Sequence, residues 1–255
     1  MSTVHSMRRY HARWHRWARF GAQRLLLRPV VHSVARVRVE GARNVESLSG
    51  PFVLVANHSS HLDAAVIVTD LPRRLTRNLA VAAAADYFYK QWWIKAPTAL
   101  FFNSYPVSRD GGGRGKGMSS ALLEEGVPVL IFPEGTRSRD GELQHFKPGA
   151  AALCCQHDVP CIPVALLGAN EAMPVGRRWP VPGRPPVTML IGRPMRPRAG
   201  EKPREFSDRV AARITTMLTM QTPYVLGDVP AAGTQPRPDD QTRPHPDDQT
   251  QEEAS

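Results

Sequence analysis

From about Val34 onward, short runs rich in β-branched and apolar residues alternate with segments of helical periodicity, and this alternation constrains the fold more than any other feature. The runs at 34–40, 52–56, 78–83, 103–108, 128–132, 161–167 and 187–191 read as strands. Segments 61–70, 86–93, 116–125, 149–157 and 205–219 read as helices. The expectation is an α/β fold: one domain over 34–228 with a mixed, largely parallel sheet flanked by helices. Pro106, Pro160 and Pro163, in or beside strands, mark edges or irregular starts. A chain of 255 residues can bury such a core without disulfides or metals.

Ahead of this domain, residues 7–28 read as a basic amphipathic helix. Met7, Tyr10, Trp14, Trp17, Gly21 and Leu25 recur at three- and four-residue spacing and share one face. Arg8, Arg9, Arg16 and Arg19 fall opposite, with Arg13 and Phe20 on a flank. Residues 1–39 hold nine arginines and no acid, so segment 1–33 suits an anionic membrane surface, with Trp at headgroup level. The alternative is a helix packed on its own domain with solvated arginines.

The formal charge of +10 is unevenly spread, since residues 229–255 carry six acids against two bases. That Pro-, Gln- and Asp-rich stretch, with the near-repeats RPDDQT and HPDDQT at 237–242 and 245–250, reads as a disordered acidic tail. The basic remainder fits anionic partners: phospholipid headgroups, nucleic acid or a phosphorylated substrate. No stretch reaches the roughly 18 apolar residues of a membrane span, Leu25–Ala35 being broken by Arg28, Pro29 and His32. No cleaved secretory signal is expected either, because the basic N-terminus lacks an apolar core segment. Cys154, Cys155 and Cys161 form no disulfide or metal framework, which points to reduced thiols, a cytoplasmic setting and a peripheral place on the cytoplasmic face of the membrane.

Two constellations carry chemistry. Asn57-His58-Ser59-Ser60-His61-Leu62-Asp63 follows the apolar run Phe52–Ala56, where a strand ends and a helix begins. Five residues along one helix would set His58 and Asp63 about 140° apart. They meet only if His58 lies just before the helix and Asp63 in its first turn, and Ser60 with Asp63 fits a cap there. An imidazole oriented by a carboxylate can act as a general base. The helix N-terminus disfavours imidazolium, whereas Asp63 favours it. Read alone, Asp63 could also be a pure cap and His58 a loop histidine. The second constellation is Val129–Ser138, where a buried strand runs into Pro133-Glu134-Gly135 and presents Thr136, Arg137 and Ser138. An arginine with hydroxyls and turn amides at a strand's carboxyl end suits a phosphate. A turn closed by a Glu134–Arg137 ion pair is the plainer reading.

Together, NHSSHLD at 57–63 and FPEGTRS at 132–138, in this order and about seventy residues apart, resemble the glycerolipid acyltransferase family, whose best-known members are lysophosphatidic acid acyltransferases. Phe146-Lys147-Pro148-Gly149 and Val159–Ala165 also resemble it, as does Tyr105–Arg109, which lacks the usual glycine and has Ser104 near that place. The resemblance covers roughly residues 35–220. It implies His58 as the base that deprotonates an acceptor hydroxyl, with Asp63 orienting it. It further implies that Glu134, Gly135, Thr136 and Arg137 hold the acceptor, Arg137 and Arg109 at its phosphate. Lys147 and Pro163 fall to the acyl or structural side. The implied reaction is direct attack on the thioester of acyl-CoA or acyl carrier protein by a lysophospholipid, 1-acylglycerol 3-phosphate first, with no cofactor, metal or acyl-enzyme intermediate.

Other patterns fail. His58 and His61 lack a third metal ligand, and H-E-x-x-H is absent. Gly111–Gly117 misses the phosphate-loop spacing and reads as a flexible basic loop near the site. No G-x-S-x-G elbow is present. Tyr87–Trp93 suits either lipid contact or core packing. Two rivals remain: the same chemistry on an amino-lipid or glycolipid, and a nucleic-acid-binding protein using the Arg-rich N-terminus. No nucleic acid is expected on the acyltransferase reading.

Overall fold

The computed structural model describes residues 10, 12–84, 100–107, 114–138, 141–177 and 179–225. Expected helix 86–93 with its aromatic cluster, Arg109 and the acidic tail lie outside them.

An N-terminal helix begins as α1 (Arg13–Ala22), widens into a π-helical turn at Gln23–Leu27 and continues as α2 (Arg28–Val34). Then follow β1 (Arg36–Glu40), β2 (Val53–Ala56), α3 (Asp63–Asp70), α4 (Arg73–Thr76), β3 (Ala80–Ala84), β4 (Tyr105–Val107) and α5 (Arg114–Glu124). The chain continues through β5 (Val129–Ile131), α6 (Gly149–His157), β6 (Cys161–Leu167), α7 (Ala169–Ala172), β7 (Pro186–Ile191) and α8 (Pro203–Val225). The sheet order is β1-β7-β6-β2-β5-β3-β4. Five neighbouring strands, β6 to β4, are parallel, while β7 and β1 run the opposite way.

Both faces of the sheet are covered. Leu54, Ala56, Leu130, Ile162 and Val164 face one apolar cluster, with α2, α3 and α4. Val53, Val55, Val129, Cys161 and Ala165 face the other, with α5, α6 and α8. The period-two alternation of a strand sends successive side chains to opposite layers. Strands buried on both faces need apolar residues at every position, so they read as unbroken hydrophobic runs.

Several boundaries and roles differ from expectation. The N-terminal helix continues to Val34, past the expected end at 28. Its buried residues Arg19, Gln23 and Val31, with the half-buried Leu27, are spaced by four, and the wide π turn keeps that row aligned where a regular helix would drift. Trp14, Trp17 and Leu25 face outward, at 67%, 64% and 74% exposure, whereas Arg19 turns inward. Tyr10 leaves their face and is buried, because Ala12 is extended and breaks the helical spacing. Pro106 lies on the edge strand β4 as expected, but Pro163 sits in interior strand β6. The Pro163 carbonyl accepts from Gly192 N–H, so its missing donor falls on the β7 side, where the regular ladder has ended at Ile191. The helix expected at 116–125 starts two residues earlier, so Arg114 and Gly115, expected as loop, open α5. The short helices α4 and α7 escaped notice because one turn shows no periodicity.

Candidate active site

Strands β2 and β5 are parallel neighbours, with Val55 opposite Ile131, so both release their chains at the same edge of the sheet. Residues 57–63 and 132–138 therefore meet, although about seventy residues separate them in sequence.

His58 lies before α3, and Asp63 is the first residue of that helix. His58 Nδ1 is 2.8 Å from Asp63 Oδ2, with Asp63 fully buried and His58 about one-fifth exposed. The same carboxylate oxygen accepts Ser59 N–H at 2.7 Å and Ser60 N–H at 2.8 Å. Asp63 thus reaches back to cap the loop, whereas the expected Ser60 cap does not form. Ser60 Oγ accepts from Leu62 N–H and donates to the Met173 carbonyl. With Nδ1–H directed at Asp63, Nε2 is the nitrogen left to take a proton. Phe132 stacks on the imidazole, ring centroids 4.1 Å apart.

Glu134 joins the two motifs. Its Oε1 accepts His58 N–H at 2.6 Å and its Oε2 accepts Gln144 N–H at 3.0 Å, within a buried setting. Ser138 N–H donates to the His58 carbonyl at 2.8 Å. Both flanks of His58 are therefore fixed by the second motif. The turn between them is closed by Gly135 N–H to the Phe132 carbonyl. Gly135 adopts φ +75°, and a β-carbon there would come within 3.2 Å of Lys147 Nζ. Lys147 N–H in turn bonds the Pro133 carbonyl. Thr136 is exposed at the turn. Arg137 contacts His61 Nε2 through its guanidinium. Partial burial, followed by the charge of Arg137 and the neighbouring His58 ring, holds the His61 pKa below its ordinary value. His58, His61, Arg137 and Lys147 thus gather at one edge, which suits an anion close to a general base. No group of three or more His, Cys, Asp or Glu forms a metal cluster among the described residues.

The geometry gathers His58, Asp63, Glu134, Gly135, Thr136, Arg137 and Lys147. It places Pro163 inside the sheet, paired with Val55. Asn57 had no assigned role in the sequence. Its side chain pairs with Leu166 of β6 as another strand would, Oδ1 accepting at 2.7 Å and Nδ2 donating at 2.9 Å. Its place beside His58 at a strand end was the only cue.

Residues 36–167 match the family model described as Acyltransferase. The 1-acyl-sn-glycerol-3-phosphate acyltransferase alpha of Bos taurus is 31% identical over 189 residues, 71% of this chain and 62% of that protein. A chloroplastic 1-acyl-sn-glycerol-3-phosphate acyltransferase of Arabidopsis thaliana is 29% identical over 149 residues, 57% of this chain and 40% of that protein. The chain thus spans about half the length of such relatives. The crystal structure of the 1-acyl-sn-glycerophosphate acyltransferase PlsC from Thermotoga maritima superposes with a TM-score of 0.62 at 24% identity, over 79% of this chain and 82% of that one, a likeness of fold.

Proposed function

The chain belongs to the acyltransferase family, and from that premise we propose that it moves a fatty acyl group from a thioester to the free hydroxyl of a lysophospholipid, 1-acylglycerol 3-phosphate first. The observation that carries this reading is the His58–Asp63 pair, fixed by Glu134 and Ser138 beside the cations Arg137 and Lys147 and the His61 imidazole. His58 Nε2 takes the proton of the acceptor hydroxyl while Asp63 supports the charge that forms on the ring. The acceptor oxygen bonds to the thioester carbonyl carbon, the C–S bond breaks, and the leaving thiolate takes the proton back from His58. A thioester is already activated, so one oriented base suffices and no acyl-enzyme is required. Acyl-CoA and acyl carrier protein both supply the bond that breaks.

In this reading Arg137 holds the acceptor phosphate, with Arg109 joining from outside the described residues. Gly135 and Thr136 shape the turn that carries Arg137. Glu134 serves as a brace, because both its oxygens are taken by backbone amides. The N-terminal helix meets an anionic bilayer, on the cytoplasmic face, through its outward Trp14, Trp17, Leu25, Leu26 and Val30. No helix among the described residues is long and apolar enough to cross a membrane. Residues 23–34 pack on the α/β body, so the described end of the surface-binding segment 1–33 is held to the catalytic segment 34–228.

The test is acyl transfer from labelled acyl-CoA and acyl carrier protein to a panel of lysolipids, wild type beside His58→Ala. Transfer by the wild type alone, fastest to 1-acylglycerol 3-phosphate, is expected. Equal transfer by both proteins would remove His58 as the base. Preference for an amino-lipid or glycolipid would move Arg137 away from a phosphate role.

A further inference from the structure

The most exposed large apolar side chain among the described residues has no part in the site chemistry above. Trp179 is 80% exposed, in the loop between α7 and β7. This loop is compact. Val181 N–H bonds the Ala172 carbonyl at 2.8 Å and closes its base, and Arg177 N–H bonds the Pro174 carbonyl within it. Five prolines, at 174, 180, 182, 185 and 186, stiffen residues 173–186. The loop is also tied to the catalytic segment, since Ser60 Oγ donates to the Met173 carbonyl at 2.9 Å. At its far end, Arg36 of β1 bonds the carbonyls of Arg184 and Pro185.

Its charge has one sign. Residues 173–200 contain six arginines and no acid, and Arg177 and Arg184 are exposed on the same loop as the indole. A lone tryptophan on a stiff loop offers little shape for a protein partner to enclose, whereas the headgroup layer accepts a single protruding indole. Arginines around it draw anionic headgroups without needing a fixed geometry. The proline content keeps the ordering entropy of insertion small.

We propose that the Met173–Pro186 loop is a second bilayer-contacting element, which inserts Trp179 into the headgroup layer of an anionic membrane and sets the His58 site against the lipid. The proposal rests on the membrane-surface reading above and adds a contact separate from the N-terminal helix. Fastening of the loop to Ser60 links that contact to the segment carrying His58.

The experiment uses the full chain with Trp14, Trp17, Trp92 and Trp93 changed to Phe, leaving Trp179 as the single tryptophan. Mixed phosphatidylglycerol–phosphatidylcholine vesicles should shift its emission to the blue, shield it from iodide and expose it to quenching by brominated acyl chains. Neutral phosphatidylcholine vesicles should do so weakly. In the otherwise native chain, Trp179→Ala should weaken partitioning to the anionic vesicles about tenfold, as loss of a partly inserted ring implies. Its thermal midpoint should not change, because the side chain packs on little else. Co-sedimentation with vesicles while Trp179 keeps aqueous emission would overturn the loop proposal and leave the helix contact standing. No vesicle binding by any variant would overturn both. A Trp179 response to acyl carrier protein but not to vesicles would overturn the lipid assignment and make the loop a protein-docking element.

Discussion

Glu134→Gln separates a brace from a substrate ligand. The carboxylate accepts His58 N–H at 2.6 Å on one oxygen and Gln144 N–H at 3.0 Å on the other, in a buried setting. A carboxamide keeps a single oxygen and sets its NH2 against the second amide donor. Hydrogen bonds to a charged group contribute about 1.5–3 kcal/mol net, against about 1 kcal/mol for neutral ones, and a stranded buried donor costs about 1–3 kcal/mol. The expected destabilisation is about 2–4 kcal/mol. That is a large share of the roughly 5–15 kcal/mol typical of a domain, yet the protein should still fold. Urea denaturation reads this term directly. Release of the His58 backbone should also displace the base, and a shift near 1 Å lowers turnover about a hundredfold. The acceptor KM should move much less than kcat, because no bond to substrate is lost. A destabilisation below about 0.5 kcal/mol with full turnover would refute the brace. Unchanged kcat with a raised acceptor KM would return Glu134 to the binding site.

Two other substitutions test neighbouring contacts. Asn57→Ala strands both the N–H and the carbonyl of Leu166, so a loss of about 2–4 kcal/mol is expected; denaturation measures it, and unaltered amide exchange at Leu166 would contradict the pairing. Arg137→Ala removes a cation beside His61, so the His61 pKa should rise, while burial, the larger cause, still holds it below the ordinary value. Histidine NMR titration reads this, and an unmoved His61 would deny the contact. Folded His61 takes its proton less readily than the unfolded chain does. Its contribution therefore disfavours the native state as pH falls through the ordinary value of 6.5, and less so in the Arg137→Ala variant.

Most of the fold was legible because it rests on local patterns. The helix at 149–157 and the strand at 161–167 lie where apolar runs and flanking turns placed them. Misreadings came where a distant partner decides. Pro163 resembles an edge residue until β7 is seen to end its ladder beside it. The inward Arg19 follows from how the N-terminal helix lies on the body, and the buried Tyr10 from the extended Ala12 ahead of that helix, neither of which helical periodicity can tell.

The sequence by itself determined the two motifs, their order, and the requirement that His58 precede the helix that Asp63 begins, because these depend on neighbours within a few residues. Whether the motifs touch was decided only by the tertiary structure. Strand order places β5 beside β2, and parallel pairing brings both carboxyl ends to one edge. The contacts of Glu134 were decided in the same way. Its side chain cannot declare, from sequence, whether it faces a ligand or the His58 amide seventy-six residues away. Hydrogen bonds between remote segments are fixed by packing of the whole sheet, and no local spacing encodes them.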